Sequence, residues 1–281
     1  MSRTTSCAAL LASTLLLAAC GGPLLPPTSE ILYARAKQEI AKARYSPAVD
    51  TLARVMKEDP RGGVGGRARI LRVALLGGMA RGFQETGESY LAGAQAAGAA
   101  AHAGPMRRVA LDYFSRARGR SLEMIEALDR LLQQPLVTPL QVDFVFPSAP
   151  ESAQALLAPV RQGRSLEEAA LRQAEHAVVL ESLREVLGGF LAVTPEVGRG
   201  RLAMVPVEVD PATFYLGAAR ELIRVSQIFG PDALREPHSI RLYHERALAL
   251  AERAEELAGK GSALAEEARR VREQCQKVLK G

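Results

Sequence analysis

The chain reads as an all-α protein of antiparallel helical hairpins, with two short proline-fenced extended insertions set among the helices. Three observations predict this. Ala, Leu, Arg and Glu dominate a sequence of 281 residues that has no Trp and only 5% aromatic side chains, a composition typical of helical proteins. Apolar residues recur at helical spacing through long stretches, most plainly at the C-terminal end. Only two stretches, within residues 135–150 and 193–211, alternate at period two, and prolines bracket both. With 48% apolar residues, the region from residue 30 to 281 can bury the core of one domain.

The elements follow in chain order. Residues 1–6 carry one basic side chain, Arg3, and residues 8–17 form a run rich in Ala and Leu, followed by Ala18, Ala19 and Cys20. A basic start, an apolar middle and a small-residue exit make an export signal. Its apolar part, about ten residues, is half of the roughly twenty that a bilayer-spanning helix needs. Leu17-Ala18-Ala19-Cys20 resembles the bacterial lipobox. That resemblance implies that residues 1–19 are a lipoprotein signal peptide and that Cys20 is the lipid-attachment site, the first residue of the mature chain. Gly21 in place of Asp after the cysteine points to the outer membrane, facing the periplasm, or to the cell surface in a host with one membrane. Residues 20–29, rich in Gly and Pro, suit a tether because they cannot continue a helix.

Residues 29–60 then resemble one tetratricopeptide unit, with Leu32, Ala36, Tyr45, Ala48, Leu52 and Pro60 at the signature positions. Ala36 and Ala48 would let two helices approach closely, and Pro60 would end the second. A weaker copy, with Ile70, Ala74, Phe83 and Tyr90 in matching places and residues 62–66 as the connecting loop, extends the tetratricopeptide-like region to residue 97.

Beyond residue 100, residues 107–134 and 165–187 read as helices. Ser165 and Glu168 have the spacing of a capping box opening the second. The phrase Gly-Arg-Ser-Leu-Glu occurs at residues 119–123 and again at 163–167, and its first copy fits either the interior of a helix or a break. Asp210 is positioned to cap a helix with Pro211 in its first turn, ending at Gly230-Pro231. Tyr243, Ala247, Leu250, Ala254 and Leu257 form one apolar seam. Leu264, Ala268, Val271, Cys275 and Val278 form another, and Gly259-Lys260-Gly261 turns between them, which predicts an αα-hairpin.

The period-two stretches place Val142, Phe144 and Phe146 on one face, and Val205, Val207 and Val209 on another. Long proline-fenced insertions in helical bundles tend to be functional. They are read either as crossovers lying on the helices or as the walls of a groove, with Phe144, Phe146 and Tyr215 as candidate ligand or partner contacts.

Charge and motifs narrow the function. The formal charge of +5 drops by one when the segment carrying Arg3 is removed, and most Arg residues are interleaved with Glu, the pattern of solvated helix faces. Export and this dispersal argue against nucleic acid. Cys7 leaves with the signal and Cys20 is lipidated, so Cys275 has no disulfide partner; its place on an apolar seam makes it a core thiol. Residues 63–68 formally match G-x-G-x-x-A, but a helix rather than a strand precedes them, which removes the dinucleotide-binding context. His102, His176, His238 and His244 form no i, i+4 ligand pair, so neither metal nor cofactor is expected. No catalytic motif stands out, and an enzyme is not expected.

The layout is similar to that of several envelope-assembly lipoproteins, among them the repeat lipoprotein of the outer-membrane β-barrel assembly machine. That similarity implies an anchored scaffold for an envelope protein partner. The chain is also similar to the lipoprotein T-component of some TRAP-type transporters, which implies a periplasmic solute-binding protein with a small-molecule ligand in a channel bordered by the two insertions.

Overall fold

The computed structural model describes residues 28–96, 102–147, 152–191 and 203–280; the signal, Cys20 and all but the end of the tether lie outside them. Helices α1 (Ser29–Ala41) and α2 (Tyr45–Glu58) form the first hairpin. Thr28 caps α1 by accepting the Ile31 N–H at 3.4 Å. The helix ends in a left-handed Ala43 (φ 56°), where Ala43 N–H donates to Ile40 and Arg44 N–H to Glu39. This Schellman turn usually takes glycine. Ala36 and Ala48 are fully buried between the two helices, as their small size predicts.

Helix α3 (Gly63–Gln95) overturns two expectations. The weaker second repeat is not a hairpin but one unbroken helix of 33 residues, about 50 Å long at 1.5 Å per residue. Gly63–Gly66, expected as a loop, form its first turn. The Asp59 carboxylate accepts the N–H groups of Gly62 (2.8 Å) and Gly65 (3.0 Å), so the chain's own anion occupies this helix start. The helix continues through Gly77, Gly78 and Gly82 because those glycines serve close packing rather than a turn. A Cβ on Gly78 would sit 2.8 Å from Leu183 Cα, and one on Gly82 3.0 Å from Val179 Cα, both on helix α6 (Glu168–Leu191). Each mid-helix glycine costs about 1 kcal/mol relative to alanine, which this intimate contact offsets.

Helix α4 (Ala103–Gln133) packs along α3 and carries the first Gly-Arg-Ser-Leu-Glu phrase in its interior. Strand β1 (Leu140–Phe146) follows, then α5 (Ala153–Arg161), α6 (Glu168–Leu191) and strand β2 (Ala203–Val209). Helix α6 opens at Glu168, with Leu171 N–H donating to the Glu167 carbonyl, so Ser165 lies outside the helix instead of capping it. The two insertions pair with each other as a two-stranded antiparallel sheet, from Leu140 opposite Val209 to Phe146 opposite Ala203. Pro206 is tolerated because a two-stranded sheet is all edge.

Helix α7 (Pro211–Val225) is capped as expected, the Asp210 carboxylate accepting the Thr213 N–H at 2.8 Å, and a 3-10 turn (Ser226–Phe229) extends it to Gly230. Helices α8 (Pro237–Ala258) and α9 (Ala263–Lys280) form the predicted terminal hairpin. Gly259 and Gly261 adopt φ of 75° and 80° in the turn, a conformation that favours glycine. Cys275 is buried on this seam, whereas Val278 at its end is 44% exposed. The core is continuous from the first hairpin to the last. Among the described residues no helix is long and apolar enough to cross a membrane.

Candidate functional site

Phe144, Phe146 and Tyr215, the residues expected at a groove, are core residues. Their exposures are 1%, 0% and 0%, so they present no surface to a ligand. The pairing of β1 with β2 explains this: one face of the sheet, with Val142, Phe144 and Phe146, closes down on the helices, and α1, α3 and α6 cover it. Tyr215 accepts the Leu136 N–H at 3.0 Å and donates to the Leu131 carbonyl at 3.4 Å. It is a strut between α7 and the end of α4. Cys20 lies outside the described residues.

The structure assembles a different surface that the sequence did not announce. At the entry to α2, between α3, α4 and α6, an open cleft of about 320 Å³ is lined by Arg44, Tyr45, Arg116, Arg172, Glu175 and His176 over an apolar floor that includes Met79, Phe83 and Val179. A second lobe of about 290 Å³, lined by Gly119, Arg120 and Glu123, lies beside it and shares Ser46, Phe83 and Arg116 as lining. Helical spacing places these side chains. Arg116, Arg120 and Glu123 stand at i, i+4 and i+7 on α4, and Arg172, His176 and Val179 stand likewise on α6.

Much of the cleft wall is held rigidly. The Arg116 guanidinium lies 4.2 Å from the Phe83 ring centroid and 4.9 Å from that of Tyr113, while donating to Glu175 at 2.8 Å. Tyr113 donates to the same carboxylate oxygen at 2.6 Å. Burial, reinforced by that hydrogen bond, pushes its phenol well above the usual tyrosine range. Arg120 donates to Glu123 and to the Ser46 hydroxyl, both at 2.9 Å. Tyr45 Oη and His176 Nδ1 share a 3.1 Å hydrogen bond, with their rings stacked at 6.0 Å. Burial raises the Tyr45 phenol too, so its proton is retained for that bond. Arg172 pairs with Glu168. Arg44, exposed beside the left-handed Ala43, has no ion pair or side-chain hydrogen bond among the described residues.

A second charged region lies where α3 meets α6 and α7. Arg81, 8% exposed, contacts Glu185 at 2.7 Å, Glu85 at 3.5 Å and Glu221 at 3.7 Å. Arg224 approaches Glu85 at 3.6 Å. Burial pushes the Glu221 carboxyl up to about 7, with Arg81 the strongest influence in the opposite direction. Burial and Glu185 raise Glu85. An acidic cleft opens above this junction, with Glu85, Glu88, Glu181 and Glu185 against Arg161 and Arg224.

Burial pushes the Cys275 thiol up to about 11, which disfavours the nucleophilic thiolate. Among the described residues no group of three or more His, Cys, Asp or Glu side chains converges as a metal site. No family model matches the chain, and comparison with curated proteins and with solved structures finds no match.

Proposed function

We propose that this protein is a lipid-anchored scaffold of the cell envelope, held through Cys20 at the outer membrane on the periplasmic side and binding a partner protein through its helical body. In this reading α1 and α2 are a single tetratricopeptide-like unit leading a bundle of other design. One observation carries the proposal: the two lobes at the entry of α2 are open troughs between helices α2, α3, α4 and α6. Ligand sites for small molecules are usually enclosed enough to bury most of the ligand, whereas stacked helices offer open faces to partner chains. A solute-binding role of the TRAP T-component type draws less support, because the insertions that would border its channel fold onto each other, with Val142, Phe144, Phe146 and Val209 buried and Val205 and Val207 partly so.

Two experiments test this. Pull-down of the tagged full chain from detergent-solubilised membranes is expected to capture a stoichiometric protein; a co-purifying small molecule with no protein partner would overturn the scaffold. Cys20→Ala is expected to release the protein from the membrane fraction and to remove the lipid mass. Retention with unchanged processing would sink the anchor.

A further inference from the structure

We propose that the arginine-lined cleft at the entry of α2 is a docking trough for an acidic peptide segment of a partner protein, one that sets carboxylates beside apolar side chains. The proposal rests on the scaffold reading and names the partner's chemistry.

Charge complementarity carries it first. Arg44, Arg116, Arg120 and Arg172 rim the two lobes against Glu123 and Glu175, with Glu168 paired to Arg172 beside them, and Arg44 is without an ion pair among the described residues. The acidic cleft over α3, α5 and α6 has the reverse balance, so an acidic segment is repelled there and drawn to the first cleft. Preorganisation comes second. Arg116 is fixed on the Phe83 face by stacking and by Glu175, and Arg120 by Glu123 and Ser46. A cation already ordered loses little side-chain freedom when a carboxylate arrives, and a planar guanidinium can serve two acceptors at once.

Shape comes third. The two lobes share Ser46, Phe83 and Arg116 as lining, and α4 alone extends about 10 Å from Arg116 to Glu123. An open trough of that length over Met79, Phe83 and Val179 suits an extended chain with alternating acidic and apolar side chains. The first turn of α2 contributes in the same sense, since no side chain caps it and its N–H groups favour negative charge.

The test uses the full chain in detergent and a fluorescein-labelled peptide alternating glutamate with leucine, read by anisotropy against the same peptide with glutamine for glutamate. The glutamate peptide is expected to bind, more weakly as salt rises, and the glutamine peptide about tenfold more weakly or worse. Arg44→Glu and Arg116→Gln are each expected to weaken binding by about tenfold with unchanged circular dichroism. Arg241→Glu, on the exposed face of α8, should leave binding as it was. Equal binding of the two peptides, or an equal loss in Arg241→Glu, would overturn the assignment. So would displacement of the peptide by equimolar succinate, the mark of a small-anion pocket. If Arg44→Glu still captures the pulled-down partner at the unsubstituted level, the docking assignment fails while the scaffold reading stands.

Discussion

Helices α3 and α6 meet charge twice, with the same residue types and opposite outcomes. At the α7 junction, Arg81 is buried amid Glu85, Glu185 and Glu221. Over the same stretch of α3, whose Met79 and Phe83 line the cleft at the entry of α2, Arg116, Arg120 and Arg172 stand at an open rim, each with a carboxylate partner, and Arg44 stands there with none among the described residues. In the first place Arg81 and Glu221 are enclosed, while Glu85 and Glu185 reach the surface around them. In the second, charge is held in position but faces solvent, where ion pairs contribute little to stability. Arginine count along a helix therefore says nothing about role; what decides it is whether a third helix closes over the group.

Removing the enclosed cation should have the largest effect. Arg81→Leu leaves three carboxylates without their shared partner, and a loss of about 3 kcal/mol or more is expected in urea denaturation; a loss below about 1 kcal/mol would place Arg81 with the surface arginines. Next comes the packing that brings α3 and α6 together. A side chain at Gly82 would drive into the Val179 backbone, so Gly82→Val should cost about 2 kcal/mol, measured by thermal melting.

A subtler separation comes from pH. The folded Glu221 carboxyl keeps its proton up to about pH 7, while in the unfolded chain it titrates in the ordinary carboxylate range. The stability this group contributes is therefore fully present in acid and is lost as pH rises through about 7. Glu221→Gln should flatten that part of the stability profile. His244, whose pKa burial lowers, acts in the opposite sense and is common to both proteins, so the difference between their profiles reports Glu221 together with its coupling to the raised Glu85. The smallest effect is expected at the open cleft, where Arg44→Ala should change stability by no more than about 0.5 kcal/mol. A larger loss in denaturation would show that the cleft arginines are structural after all.

The legible parts of this fold were those whose signals are local. The α8–α9 hairpin announced itself through two seams and a glycine turn. The capped start of α7 could be read from Asp210 and Pro211. Helix α3 departs from its repeat-like pattern: Ile70, Ala74, Phe83 and Tyr90, with residues 62–66 as a loop, match a repeat, whereas Gly78 and Gly82 pack on α6 and Phe83 and Tyr90 on Tyr113 of α4. The short helix α5 was missed between its flanking proline and glycine. Period-two alternation in the insertions was visible, but its consequence was not: Phe144 and Phe146 looked like groove walls until β2 paired with β1 and closed them in. The cleft arginines were equally visible at i and i+4, yet nothing local states that Arg116 and Arg172 face each other. Such a site exists only as a relation among helices.

The β1–β2 pairing also governs how the cleft comes into being. It joins residues 140–146 to residues 203–209, so the chain leaves the first four helices and returns to the same spot after α5 and α6. Helix α6, which brings Arg172, Glu175 and His176, is thus delivered inside a closed excursion. Closing so long a loop carries an entropic cost that must be met before its contacts reward it. A chain with only α1 to α4 in place holds Arg44, Arg116 and Arg120 on an unfinished wall. The trough is thereby tied to the completion of folding: its last wall arrives only when the excursion has closed.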